Sequence, residues 1–197
     1  PGYVKMATAA LVTGCETAWH AGENWYALGG GNIQRMLESS SLLATPGSFI
    51  PALGDSGTLP IEEDYYTPHI EQVAYRSRNK ANLQQMLAVR KTFTLQFRFQ
   101  TILPSRDFNM YSASESEPMQ SGFFPGLGYA IAREGSGPDG KYLLFDVNAA
   151  KSHGHPDKLQ ILYYNHGKLI LNDQGSIFYD KPDYVNWYSK TPVHNTV

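Results

Sequence analysis

Three histidines near the end of the chain, His153, His155 and His194, stand in settings that suit metal ligands. One glycine separates the first two, so an extended backbone would place both imidazoles on the same face. Asp173 adds a carboxylate from the segment that leads to His194. Two histidines and one carboxylate around an open position are a common Zn²⁺ arrangement. By pattern alone, an H-x-H pair near one aspartate is more often hydrogen-bonded scaffold, and spacing leaves both interpretations open.

A predicted hairpin would bring Asp173 back toward the histidine pair. Asn165-His166-Gly167 is typical of a two-strand turn, and strand-like runs flank it on both sides. In an ideal ladder Asp173 lies opposite residue 159, four positions past His155, or ~13 Å along a strand. Pro156 would have to bend the incoming chain back to close that gap.

The composition is that of a folded domain. The chain is 42% hydrophobic, 13% aromatic and 17% charged, with 13 Tyr and 9 Phe, which argues against disorder. A net charge of −2 excludes a broadly basic nucleic-acid binder, and the single Cys15 excludes an internal disulfide. No apolar run approaches the ~20 residues of a membrane helix. Because the chain starts at Pro1 and stops at Val197 in an apolar run, we expect an internal piece of a longer protein.

The first part of the chain is predicted to be mainly helical, and the later part is predicted to form strands. Apolar spacing indicates helices over Tyr3–Gly14, Ile33–Leu43 and 61–89, a break at Gly29–Gly31, a structured loop at 49–57, and a strand or helix at 92–102. Alternating runs indicate an antiparallel sheet from Gly128–Arg133, Tyr142–Val147, Leu159–Tyr164 and Lys168–Leu171. The prediction is an α+β chain: a helical portion at 1–110, a linker at 111–122, and a β portion at 123–197.

Four motifs resemble the heparinase II/III family of polysaccharide lyases. "SHGHPDKLQILYYNHGKLILNDQG" resembles the family's H-G-H-x-D motif and D-x-G turn, and "WYSKTPVHNTV" its terminal H-N-T-V strand. "FFPGLGYAIAREG" is similar to the start of its β-sandwich, and "SFIPALGDSG" to the loop that closes a late helical hairpin of its (α/α) toroid. The resemblance implies the C-terminal part of an (α/α) toroid followed by an incomplete antiparallel β-sandwich.

The resemblance also implies a chemistry. Such enzymes cleave uronic-acid polysaccharides by β-elimination: the C5 proton is removed and the C4 glycosidic oxygen leaves. Since that proton is weakly acidic, the site must neutralise the uronate carboxylate and place a base beside C5. The implied substrate is an acidic polysaccharide, heparin- or heparan-sulfate-like or alginate-like, and the implied location is bacterial periplasm or secretion.

Site residues follow from the same resemblance. His153 takes the catalytic imidazole role, and His155, Asp173 and His194 take the ligand roles for a structural Zn²⁺. Tyr3 is the best match to the family's toroid tyrosine, a general base or acid, with a place on the apolar helix face as the alternative. The family's carboxylate-neutralising Asn has no match here, because it would precede Pro1. Tyr188, six residues before His194, is a candidate substrate contact, with packing as the alternative.

Several alternatives remain. A uronate C5-epimerase of related fold would begin with the same proton abstraction and return the proton. A non-catalytic glycan-binding or structural domain could keep the metal site. A hydrolytic zinc enzyme is a more distant alternative, because no H-E-x-x-H occurs and no Glu lies near the histidine pair to serve as base. Between Gln72 and Arg106 there are seven cations and no acid, which suits a polyanion or a solvated helix face. The oligomeric state is not predicted.

Overall fold

The computed structural model describes the following residues: 2–47, 49–54, 56–57, 59–60, 72–73, 76, 120–135, 137–147, 159–175 and 179–196. The helix predicted over 61–89, apart from helical Gln72, Val73 and Arg76, lies outside them, as does the segment predicted at 92–102. Most of the predicted linker also lies outside, so the three-part division stays a prediction. The described residues fall into two compact units, one within 44–59 and 118–197, the other within 2–43 and 60–117.

The helical unit contains α1 (Gly2–His20), a 3₁₀ turn (Trp25–Ala27) and α2 (Leu28–Leu42). The predicted break at Gly29–Gly31 is confirmed, because the three glycines have φ of 61°, 66° and 83°, values that favour glycine. The helical unit has an apolar core whose buried members are Val12, Cys15, Tyr26, Leu37 and Val73, with Leu11 and Ile33 packed against it. The helix predicted from residue 3 to 14 is present, but the predicted face is wrong: Met6, Ala7 and Ala10 are exposed, and α1 buries Thr8, Val12, Cys15 and Ala18 instead.

A partly buried ion pair links α1 to Arg76 within the helical unit. The Arg76 guanidinium donates to both carboxylate oxygens of Glu16, through Nε at 2.9 Å and Nη2 at 2.7 Å. The Tyr26 hydroxyl donates to the same carboxylate at 2.9 Å. Burial alone would raise the pKa of Glu16, but hydrogen bonds from Arg76, Tyr26 and Gln72 outweigh it and lower that pKa. Arg76 also lies over the Trp19 ring, 4.4 Å from its centroid.

The second unit is built on a five-stranded antiparallel sheet in sequential order. Its strands are β3 (Gly122–Phe124), β4 (Tyr129–Glu134), β5 (Lys141–Asp146), β6 (Gln160–Asn165) and β7 (Lys168–Leu171). The four strands predicted from alternation are confirmed to within one residue at each end, whereas β3 falls at the predicted linker boundary. The two-residue strands β1 (Phe49–Ile50) and β2 (Leu59–Pro60) form a separate pair.

The described residues of the 44–57 segment (44–47, 49–54 and 56–57) lie against the buried face of this sheet. Tyr142, Leu144, Leu162 and Tyr164 are all fully buried on that face. The Phe49 ring meets the Tyr164 ring edge-on, with centroids 5.8 Å apart. A Cβ at Gly47 would lie 2.8 Å from the Tyr164 hydroxyl oxygen, so only glycine allows this close approach. The loop predicted from its glycine and proline content therefore covers a sheet that lies far from it in sequence.

Arg133 provides a polar link between the same loop and the sheet. Its Nη1 donates to the Ala44 carbonyl oxygen at 2.7 Å, and its guanidinium lies 4.7 Å from the centroid of the Tyr142 ring. Burial lowers the pKa of Arg133 and raises that of Tyr142. None of the helices in the described residues is long and apolar enough to cross a membrane.

Candidate functional site

The turn between β6 and β7 was predicted from its residue types and is confirmed. His166 and Gly167 have φ of 47° and 76°, as a two-residue hairpin turn of the primed kind requires. The register beyond the turn differs from an ideal ladder. Asn165 pairs with Lys168 and Tyr164 with Leu169, but a bulge between Tyr163 and Tyr164 shifts the following pair to Tyr163 with Leu171. The predicted alignment of Asp173 with residue 159 is therefore wrong, because the extra residue displaces everything after the bulge.

Beyond the end of β7, the chain's last segment pairs with the edge of β6. The Ile161 amide donates to the Asn195 carbonyl oxygen at 2.8 Å, and Gln160 bridges with Thr196 in antiparallel sense. The Asn195 side chain in turn donates to the Asn172 carbonyl oxygen at 2.9 Å. The end of the hairpin and the terminal segment thus meet, which places His194 beside Asp173.

Asp173 is held by the turn that follows it. Its side chain is fully buried, and its Oδ1 accepts a hydrogen bond from the Gly175 amide at 2.6 Å. This is the local turn that aspartate forms with the backbone two residues on. Gly175 has a φ of +69°, and a Cβ there would lie 2.6 Å from the Ser56 carbonyl oxygen. The D-x-G pattern is therefore explained by a left-handed turn packed against the 44–57 loop.

His194 is oriented by a backbone carbonyl. Its Nε2 lies 3.0 Å from the Tyr188 carbonyl oxygen, at the end of a π-helical turn (Tyr184–Tyr188). Since a carbonyl can only accept, Nε2 carries the proton in the neutral ring and Nδ1 carries the lone pair. The ring is fully buried, and its Nδ1 lies 3.6 Å from Asp173 Oδ1. Metal-bound histidines usually show this same arrangement, with the other ring N–H given to a carbonyl.

The separation of 3.6 Å between the two side chains is within the range of an ion pair and is also compatible with two ligands of one metal ion. An N–H···O hydrogen bond spans about 2.7 to 3.2 Å, so this pair is too far apart for one. Two ligands that each lie ~2.1 Å from a tetrahedral zinc ion are ~3.4 Å apart. A buried carboxylate and a buried imidazole nitrogen at this distance fit two adjacent ligand positions of a Zn²⁺ site.

The other predicted site residues are placed only in part. His153 and His155 lie outside the described residues, and no group of three metal-ligating side chains occurs among those described. Tyr3 belongs to the first turn of α1, and its side chain lies outside the described part of the structure. Tyr188 is half-buried and touches the site through its main chain. The metal, catalytic and substrate-contact roles of these residues stay predictions.

Two features of the site were not found from the sequence. Gln160 is fully buried at the start of β6, although a glutamine in a strand-like run gives no sign of burial. The contact between Gly175 and Ser56 joins two motifs that are far apart in the chain, and nothing in the sequence predicted it. Among the seven cations predicted as a basic run, Arg76 is the described one, and its ion pair with Glu16 gives it a structural role.

A family match and several solved structures agree with the sequence resemblance. Residues 117–197 match the family model described as Heparinase II/III-like, C-terminal. The BT4657 gene product, a heparinase III, is similar over 100% of this chain and 28% of its own, with 16% identity and a TM-score of 0.68. A second heparinase III is similar over 99% of this chain and 30% of its own, with 15% identity and a TM-score of 0.63. No curated protein sequence matches.

A third solved structure is the heparan sulfate lyase HepC from Pedobacter heparinus. It is similar over 96% of this chain and 28% of its own, with 13% identity and a TM-score of 0.61. This chain spans less than a third of the length of each of the three structures. At these identities the likeness establishes the fold, and it confirms the predicted α+β class.

Proposed function

Because residues 117–197 match the family model described as Heparinase II/III-like, C-terminal, we propose that the whole protein is a polysaccharide lyase that cleaves a uronate-containing glycan by β-elimination. The observation that carries the proposal is the buried pair of Asp173 and His194, with Nδ1 and Oδ1 3.6 Å apart. These are the aspartate of the D-x-G turn and the histidine of the H-N-T-V strand. Two motifs of the resemblance thus converge in a geometry that fits a metal ion.

The proposed reaction needs a base and an acid but no water. A base takes the proton from C5, the electron pair of that C–H bond forms the C4=C5 double bond, and the C4–O bond breaks. The leaving oxygen then takes a proton. His153 is the proposed catalytic imidazole, and Tyr3 is the proposed second proton-transfer group. Tyr188 is the proposed contact to the sugar.

His155, Asp173 and His194 are the residues that would hold the metal. Bound Zn²⁺ would act structurally, as a cross-link between the hairpin and the terminal segment. Asp173 is already fixed by Gly175 and His194 by Tyr188, so the chain has pre-organised two of the three ligands. The proposed substrate is an acidic glycan of the heparan sulfate or alginate type, and the proposed location is the periplasm or outside the cell.

Ultraviolet absorbance tests the proposal, because the conjugated C4=C5 bond of an elimination product absorbs where the substrate does not. We expect the whole protein to give a rise with heparin, heparan sulfate, hyaluronan, chondroitin sulfate or alginate. His153→Ala should abolish the rise and retain zinc, whereas His155→Ala and His194→Ala should lose zinc and stability. His166→Asn is the matched control, since His166 is exposed in the hairpin turn and asparagine tolerates its positive φ.

Three outcomes would count against the proposal. Equal zinc loss in His153→Ala and His155→Ala would remove the division between catalysis and metal binding. Folded, zinc-loaded protein that gives no rise with any of the polymers would argue against a lyase for these substrates. Exchange of the C5 hydrogen with deuterated solvent, without a rise in absorbance, would instead indicate the epimerase.

A further inference from the structure

Gln160 is a buried polar residue whose side chain forms no hydrogen bond with the residues that the structure describes. The residue is fully buried as the first member of β6, and neither its Nε2 nor its Oε1 finds a hydrogen-bond partner in the described part of the chain. A carboxamide has two donors and an acceptor, so its burial without partners is costly. Such a group in a folded protein calls for an explanation, and a bound ion or water is a common one.

The sheet register places Gln160 on the same face as His194. Gln160 bridges with Thr196, and residues directly opposite in an antiparallel pair point to the same side. His194 lies two residues before Thr196 in extended backbone, with φ of −107° and ψ of 154°, so its side chain shares that side. The Cα atoms of such diagonal neighbours are about 7–8 Å apart, which a glutamine side chain can span.

Among the described residues, the other sheet neighbours of Gln160 form no hydrogen bond with its carboxamide. On the same face of β6, the next residue inward is Leu162, which is fully buried and apolar. Directly opposite Gln160 on the same face stands Asp146 of β5, a half-buried carboxylate, and the following pair on this face is Leu144 with Leu162. A leucine or methionine at position 160 would continue this apolar row. Gln160 and Asp146 therefore form a polar pair at the end of the apolar row, on the strand that the segment with His194 joins.

We propose that Gln160 is a positioning residue of the metal centre: its carboxamide hydrogen-bonds the ligands or the water of the occupied centre. This inference rests on the metal site of the proposed function. Groups that hydrogen-bond to metal ligands fix the orientation of those ligands and raise metal affinity. The alternative is an amide that holds a trapped water in the core and has no effect on the metal.

A pair of measurements on the whole protein separates the two. Gln160→Met replaces the amide by an apolar chain of similar length, and Leu162→Met is the matched control on the same strand and face. Competition with a chelator gives the zinc dissociation constant, and thermal unfolding in chelator gives the stability of the metal-free protein. We expect Gln160→Met to weaken zinc binding by about 10- to 100-fold. The metal-free variant should unfold at the same or a higher temperature, because an unsatisfied buried amide has been removed.

The proposed role thus predicts weaker zinc binding together with an unchanged or higher stability of the metal-free protein. If Gln160→Met does not fold, Gln160→Glu serves instead, since it keeps the shape and puts a carboxylate near a dication. The proposal then expects tighter zinc binding, by about tenfold or more. Zinc affinity unchanged in both variants would overturn the inference and leave the lyase proposal standing. Wild-type protein that binds no zinc would overturn this inference together with the metal site, and the absorbance assay would still report on the lyase.

Discussion

A Cβ atom on Gly175 would lie 2.6 Å from the carbonyl oxygen of Ser56. Ser56 belongs to the loop that covers the sheet, where its hydroxyl donates to the Leu53 carbonyl oxygen at 2.8 Å and accepts from the Leu53 amide at 3.1 Å. Gly175 belongs to the turn that fixes Asp173. The G-D-S-G loop and the D-x-G turn are therefore in direct contact, so the loop packs against the turn that holds the Asp173 carboxylate.

Gly175→Ala should destabilise the protein by about 3 kcal/mol, because the methyl adds a clash with backbone to an unfavourable left-handed φ of +69°. The displaced Gly175 amide would also release Asp173, so zinc retention should fall. Urea unfolding and metal analysis measure the two effects. Gly167→Ala is the matched control, since Gly167 has a φ of +76° with open space around it. It should cost only about 1 kcal/mol. Equal losses in the two variants would show that the contact with Ser56 does not matter.

Arg133→Met should loosen the loop without unfolding the sheet. The variant keeps the apolar stem but loses the donor to the Ala44 carbonyl oxygen and the cation over Tyr142. We expect a loss of about 2 kcal/mol, since hydrogen bonds from charged groups contribute about 1.5–3 kcal/mol. Hydrogen exchange of the amides in 44–57 should rise, while exchange in β5 and β6 should not. Lys141→Met removes an exposed ion pair with Glu134 and is the control. Uniform exchange increases across the sheet would contradict this local role.

Much of the sheet could be predicted from local pattern. β5 and β6 alternate buried with more exposed positions, and a period of two is visible in the sequence. The hairpin turn was visible too, because His166-Gly167 suits two positive φ values. The local sequence pattern does not predict the bulge between Tyr163 and Tyr164, because the bulge depends on how the strand packs rather than on its residue types.

The candidate site was predicted as a set of residues more than as a geometry. Asp173 and His194 came from motifs, and the structure brings their side chains together through the terminal segment on the edge of β6. The register of an ideal hairpin predicted instead that Asp173 would lie opposite residue 159. Gln160 could not have been singled out, because its burial follows from pairing with Thr196, a residue far along the chain. Contacts of that range depend on tertiary structure.

The Glu16–Arg76 pair should make the stability of the helical unit depend on pH in the acid range. The pKa of Glu16 is lowered in the folded state, so its stabilising effect is fully present above the ordinary glutamate pKa and is lost as pH falls through the lowered value. Glu16→Gln should remove this part of the acid dependence. It should also cost about 2 kcal/mol near neutral pH, since Arg76 loses its charged acceptor. Glu23→Gln is the control, because Glu23 is exposed. Identical acid-unfolding curves for wild type and Glu16→Gln would contradict the assignment.

Tyr188 allows its side chain to be tested apart from its backbone. Its carbonyl oxygen orients His194 whatever the side chain is, so Tyr188→Ala should retain zinc. If the ring contacts the sugar, Tyr188→Ala should raise KM by about tenfold, or ~1.4 kcal/mol, with kcat little changed, as for a contact made equally in the ground and transition states. Tyr188→Phe should recover most of that loss, because the ring face remains. Tyr179→Ala, at an exposed tyrosine of the same segment, is the matched control. Zinc loss in Tyr188→Ala would assign the ring to packing around His194 and remove it from the substrate contacts.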